Sequence, residues 1–122
     1  MPTEKVEHLD AGLTGDGLVR LLAALASPQR LRIVATLASG PRHVSDLARE
    51  VRLSRPLVHA HLGRLTAAGL VSSRLLLSEE GKAVRMVEVT PFVLRLTPEV
   101  IAGVAQTLTA AGQCPEAEKG QR

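Results

Sequence analysis

Three groups of residues in this chain have the types that do chemistry: four histidines, a single cysteine and a set of arginines. His59 and His61 look like a chelating pair, but two residues along a helix turn the side chains about 200° apart, so they cannot clamp one ion. His61 is expected to face inward or to meet a phosphate. The run His43, Val44, Ser45, Asp46 holds the residue types of a nucleophile, a base and an orienting carboxylate. Three such groups in one short segment cannot adopt the geometry of a triad, and a capped helix start is the better reading. Cys114 sits beside Pro115 with Glu116 and Glu118 close by. Acidic neighbours raise a thiol pKa, so an unreactive cysteine is expected rather than a redox switch. There is no glycine-rich phosphate loop and no acid pair in an apolar setting, so no catalytic residue, cofactor or enzymatic activity is expected.

What remains is recognition by Arg55, His59 and Arg64 within LSRPLVHAHLGRLTAAGL, Leu53 to Leu70. Arg55 can donate bidentately to guanine O6 and N7, worth about 1 to 3 kcal/mol of discrimination. His59 can donate to a base acceptor. Arg64, nearer the helix end, suits a phosphate, which positions without selecting sequence.

These side chains need a helix under them. Leu57, Val58, Leu62 and Leu65 recur at three- and four-residue steps and predict a buried stripe. Ser54 is placed as N-cap, Pro56 is tolerated in the first turn, and Gly69 ends the helix. Outward stand Arg55, His59, Arg64 and two small residues, Ala60 and Gly63, that let a backbone come close. Upstream, a helix over 44–51 with Leu47, Ala48 and Val51 inward, then a tight turn at Arg52 and Leu53, completes a helix-turn-helix, with Ser45 near its leading end.

The flanking elements follow from the same period. Asp16 is expected to cap a helix whose Leu18, Leu21, Leu22 and Leu25 are too apolar for a monomer surface. Ser27 and Pro28 start another, with Leu31, Val34 and Leu37 inward. Leu70 to Leu77 and Ala83 to Val89 read as a hairpin around SEEGK, with Gly81 at the reversal. The run Leu75, Leu76, Leu77 breaks strict alternation and leaves a helical continuation open. Thr97 and Pro98 begin a last helix, with Val100, Ile101, Val104 and Leu108 along one face to about Ala111. The expected organisation is a loose arm over 1–15, one domain over 16–111 and a frayed tail over 112–122.

Composition narrows the partner. The chain of 122 residues is 45% hydrophobic, enough for one small domain. One cysteine excludes an internal disulfide framework, and the absence of a signal peptide or an 18-residue apolar run predicts a cytoplasmic protein with no membrane partner. Phe92 is the sole aromatic, which argues against stacking on single strands. Net charge is +3, but residues 27–64 hold seven arginines against Asp46 and Glu50. The positive charge therefore lies on the segment with the exposed helix, which favours contact with duplex phosphates.

LASPQRLRIVATLASG at 25–40, HVSDLAREVRLSRPLVHAHLGRLTAAGLV at 43–71 and a hairpin ending near Val89 together resemble the ArsR/SmtB family of bacterial winged-helix repressors, over roughly the central two-thirds of the chain. The resemblance implies a mainly α fold with a small β-hairpin wing (α+β): a winged helix-turn-helix of about five helices. It further implies that the Ser-x-Pro-x-Val-Ser-x-His-Leu helix, here Ser54 to Leu62, enters the major groove. His59 replaces the usual Ser and should change the preferred base. Family members are homodimers through their terminal helices, which would place Leu18, Leu21, Leu22, Leu25, Val100, Ile101, Val104 and Leu108 at a dimer interface. The implied partner is double-stranded DNA with an inverted-repeat operator, half-sites about 34 Å apart. DNA contacts are expected from Ser45, Ser54, Arg55, Pro56, His59, Ala60 and Arg64. Arg74, Lys82 and Arg85 on the wing should contribute weakly, because Glu79 and Glu80 at its tip repel phosphate.

The resemblance also raises metal sensing. Its paired-cysteine motif corresponds to His43-Val44-Ser45-Asp46, which has no thiolate, and the last helix offers only Glu99, Gln106 and Cys114. No standard metal site is expected; a cross-subunit set of His8, Asp10 and His43, suited to nickel or zinc, is the remaining alternative. A second alternative is a winged helix that binds a partner protein through its apolar terminal helices. A partner protein or an effector is compatible with either reading.

Overall fold

The computed structural model describes residues 7–9 and 12–109. Four of its five helices start on a hydroxyl that accepts a hydrogen bond from the N–H three residues on, the arrangement that satisfies an otherwise free donor of the first turn. Thr14 accepts from Gly17 (3.0 Å) and opens α1, Gly15–Leu25. Ser27 accepts from Arg30 (3.2 Å) and opens α2, Pro28–Leu37. α3, Val44–Val51, starts at His43 with no side-chain cap. Ser54 accepts from Leu57 (3.3 Å) and opens α4, Arg55–Ala67. Thr97 accepts from Val100 (3.0 Å) and opens α5, Pro98–Ala105. Asp16, expected as a cap, lies instead inside the first turn of α1, where a carboxylate still favours the positive end of the helix dipole.

The turn between α3 and α4 is made by Arg52, whose backbone is left-handed at φ 62°. It is the only non-glycine with positive φ among the described residues. Gly69, at φ 79°, follows the C-cap of α4, and the Leu70 N–H returns to the Leu65 carbonyl to close the helix.

The hairpin forms as the sequence predicts. β3, Val71–Leu77, pairs antiparallel with β4, Ala83–Val89, from Val71 opposite Val89 to Leu77 opposite Ala83, so no helix continues through Leu75 to Leu77. Two-residue strands, too short to leave a period in the sequence, complete the sheets: β1 at Glu7–His8, β2 at Arg42–His43 and β5 at Phe92–Val93. β2 adds antiparallel to β4, and β1 runs parallel to β5.

The core gathers Ile33, Leu37, Leu47, Val58, Leu65, Leu70 and Val87, all fully buried. Two expected inward residues are not there: Leu31 is 52% exposed and Leu57 42%. On α2 the buried pair is Ile33 and Leu37; Ile33 precedes the predicted Val34 by one residue and stands at an equally good helical spacing from Leu37. On α4, Val58, Leu62 and Leu65 suffice.

α5 ends at Ala105 rather than near Ala111. Thr107 explains this: its hydroxyl donates to the Val104 carbonyl (2.8 Å) and accepts from the Gly15 N–H (2.7 Å). Such side-chain bonds to backbone offer the chain an alternative to further helix. Gly15 is required for the approach, since a Cβ there would lie 2.6 Å from both Leu108 Cγ and the Val104 carbonyl. Thr109 then donates to Asp16 (2.8 Å), tying the end of this segment to the start of α1.

Candidate nucleic-acid interface

α4 is held from beneath by Val58, Leu62 and Leu65, and every residue directed away from that stripe is free to touch something else. Ser54, Arg55, Pro56, His59, Ala60 and Arg64 are all exposed. At about 100° per residue, Pro56, Ala60 and Gly63 form the outermost line, with Arg55 and His59 on one flank and Arg64 on the other, about 140° round from His59. The outward face is therefore narrow and small at its crest, with cationic or titratable groups on both shoulders.

The wing stands beside the Arg55 and His59 shoulder. A cleft of about 660 Å³ between the starts of α3 and α4 and the outer half of the hairpin brings together Ser45, Arg55, His59 and Arg85 of the expected contact residues. Arg64, Ala60, Arg74 and Lys82 do not line it. Ser45 is half-buried; Arg74, Lys82 and Arg85 are exposed. Arg74 lies 4.0 Å from Glu88, and Arg85 donates to Ser73 across the strands (3.1 Å), so both are partly engaged within the wing. His43 shares the cleft, half-buried, with a buried Nδ1 that has no hydrogen-bond partner.

His61 has a different place from His59. It is half-buried on the inner shoulder of α4, where Arg30 Nη1 lies 3.0 Å from its Nδ1. Arginine only donates, so Nδ1 accepts and the ring proton sits on Nε2. The same guanidinium donates to the carbonyls of Ala24 (2.6 Å) and Ala23 (3.3 Å) at the end of α1. Arg30 thus joins α1, α2 and α4. Burial, then the charges of Arg30 and Arg64, hold the His61 pKa below its ordinary 6.5. Sequence reasoning turned His61 inward but had no signal for a partner 31 residues away.

The expected interface residues of the terminal helices divide. Leu18 and Leu21 are buried within the protomer and face its own interior, so they are not part of an outward surface. Leu22, Ile101 and Leu108 are exposed, and Leu25, Val100 and Val104 half-buried. Val19, which the sequence reading did not select, is also exposed beside them in the α1 sequence. α5 has no buried residue at all.

Among the described residues no group of three or more His, Cys, Asp or Glu is placed to hold a metal ion. Of the alternative set, Asp10 and the side chain of His8 lie outside the described residues, as does Cys114. No described helix is long and apolar enough to cross a membrane.

A helix-turn-helix made by α3 and α4, followed by a β-hairpin beside the second helix, defines a winged helix-turn-helix protein. Known proteins agree. The family model described as bacterial regulatory protein, arsR family, matches residues 27–73. An uncharacterized HTH-type transcriptional regulator of Methanocaldococcus jannaschii is 38% identical over 84 residues, covering 69% of this chain and 87% of that protein. The HTH-type transcriptional repressor SmtB of Mycobacterium tuberculosis is 42% identical over 57 residues, 47% of this chain and 42% of that one. Among solved structures, a homodimeric winged helix-turn-helix DNA-binding domain from Mycobacterium bovis superposes with a TM-score of 0.53 at 26% identity, over 75% of this chain and 74% of that one. HlyU from Vibrio cholerae gives 0.51 at 27% identity, over 74% and 86%. The chain belongs to the ArsR family of winged helix-turn-helix transcriptional regulators.

Proposed function

We propose that the protein is a homodimeric repressor that binds an inverted-repeat operator in double-stranded DNA by setting α4 in the major groove. The observation that carries this is the outward face of α4. A crest of Pro56, Ala60 and Gly63 lets the helix backbone approach base edges, and a groove about 12 Å wide admits a helix of about 10 to 12 Å. Arg55 then reads a guanine, His59 donates to or accepts from a neighbouring base, and Arg64 grips a phosphate on the far shoulder. Ser45 and Ser54, near the starts of their helices, offer hydroxyls to the backbone. On the wing, Arg74 has Glu88 near it, which leaves Lys82 and Arg85 to hold phosphate weakly.

A second copy is supported by α5, whose apolar residues find no core of their own, and by the homodimeric state named for the Mycobacterium bovis domain. Repression is the role named for the Mycobacterium tuberculosis relative. Affinity selection of random duplexes by the purified protein tests the proposal. A two-fold symmetric motif is expected, with half-site centres about 10 bp apart and affinity falling steeply with salt. Failure to enrich any motif, or affinity indifferent to salt, would refute it.

A further inference from the structure

The hairpin carries more apolar surface than a DNA-contacting wing needs. Register places Leu75 opposite Arg85 and Leu77 opposite Ala83, on the same sheet face as Ser73 and Val87 nearer the base. Val87 is fully buried, so this face is the one turned toward the helices. Farther from the base of the hairpin, Leu75 and Leu77 on this face line the cleft at 62% and 76% exposure.

Across that cleft stand Arg55, His59 and His43. Neither Arg55 nor Arg85 has a carboxylate partner among the described residues, while the one acid in the lining, Asp46, is paired with Arg49. The His43 Nδ1 is buried and unpartnered, a state that costs free energy unless something bonds to it. A volume of about 660 Å³ lies in the range of small-molecule sites, about 300 to 1,000 Å³. Leucines and Arg85 on the hairpin wall, facing Arg55 and His59 across the cleft, describe an amphipathic occupant.

We propose that this cleft binds a small organic anion with an apolar body, a medium-chain or aromatic carboxylate, and that the ligand competes with DNA for Arg55 and His59. The carboxylate sits against Arg55 and Arg85, where a guanidinium makes paired charge-assisted bonds, and the apolar body lies under Leu75 and Leu77. Competition rests on the placement of α4 in the groove; occupation of the cleft does not.

The test titrates the full chain with decanoate, and with decyltrimethylammonium as a probe of like tail and opposite charge, reading amide chemical shifts. In parallel, the affinity for the selected duplex is measured by fluorescence anisotropy. Decanoate should shift His43, Arg55, Leu75 and Leu77 saturably, and the cation should not. At about ten times its own Kd, decanoate should raise the apparent Kd for DNA about tenfold. Leu77→Ser, a neutral change at an exposed position, should weaken the decanoate response at least about tenfold and leave DNA affinity within about threefold. Intact DNA binding with no decanoate response, shifts centred on α1 and α5 instead, or equal binding of both probes would overturn the inference alone. Saturation of the cleft without loss of DNA affinity would leave the ligand site standing and instead refute the placement of α4.

Discussion

Helices α4 and α5 begin alike and end up in opposite circumstances. Each starts on a hydroxyl cap with a proline in the first turn, and each carries an apolar stripe. α4 buries its stripe in its own protomer and turns small and basic residues outward. α5 buries no residue fully: Val100 and Val104 are half-buried, and Ile101 is left 45% exposed. The difference is in what surrounds them: α4 packs on α2, α3 and the base of the hairpin, whereas α5 packs chiefly on α1, where Gly15 meets the Val104 carbonyl. One helix is covered by its own protomer; the other leaves apolar residues open to solvent.

The contrast breaks most visibly in stability. Leu65→Ala, at a site with no exposure, should cost about 2 to 5 kcal/mol of unfolding free energy, read from denaturant midpoints. Ile101→Ala should leave the stability of the isolated protomer within about 0.5 kcal/mol. If the two costs were equal, α5 would be as much part of the protomer core as α4.

Assembly gives the converse. Ile101→Glu should yield a monomer by sedimentation while keeping the helical content of the fold. Because the second half-site then binds without the advantage of being tethered, operator affinity should fall by at least about 100-fold. A dimer that survives Ile101→Glu would place the interface elsewhere.

Within α4 the two shoulders separate next. Arg55→Ala should lose about 1 to 3 kcal/mol of discrimination at one base position, while Arg64→Ala weakens all sequences alike and lowers the salt slope by about 1. Equal, sequence-blind losses from both would show that neither reads a base.

The helix starts were legible because a hydroxyl followed by proline is a local signal, and Ser27, Ser54 and Thr97 all cap as read. The hairpin was legible because Gly81 and its polar neighbours interrupt two apolar runs. What sequence could not settle was which of two adjacent stripes is buried. Leu31 and Ile33 each stand at helical spacing from a later apolar residue, Val34 and Leu37 respectively, and only tertiary packing selects Ile33. Leu57 and the inward turn of Leu18 and Leu21 have the same cause. In the candidate site, the exposed shoulders of α4 followed from period alone. The contribution of His43 and the exposure of Leu75 and Leu77 depend on which elements meet across the cleft, a tertiary matter with no local trace. Arg30 carries no local signal either, since its three side-chain partners come from two other helices.

That arginine supplies the smallest and most specific effect. His61 accepts from Arg30 Nη1, and protonation would replace the acceptor with a second donor facing a cation. The folded-state pKa lies below 6.5, so below that value the unfolded chain binds more protons at this site than the folded one. The contribution of His61 to stability is therefore fully present above 6.5 and is lost as pH falls through the lower folded pKa. Melting temperatures should decline on acidification through that window, and His61→Gln, which keeps an oxygen able to accept from Arg30, should flatten the decline without abolishing the fold. An unchanged pH slope in this variant would remove His61 as the source of the acid sensitivity and leave Arg30 as a plain cap on α1. A flattened slope would show that α4 and the end of α1 are joined through one neutral imidazole.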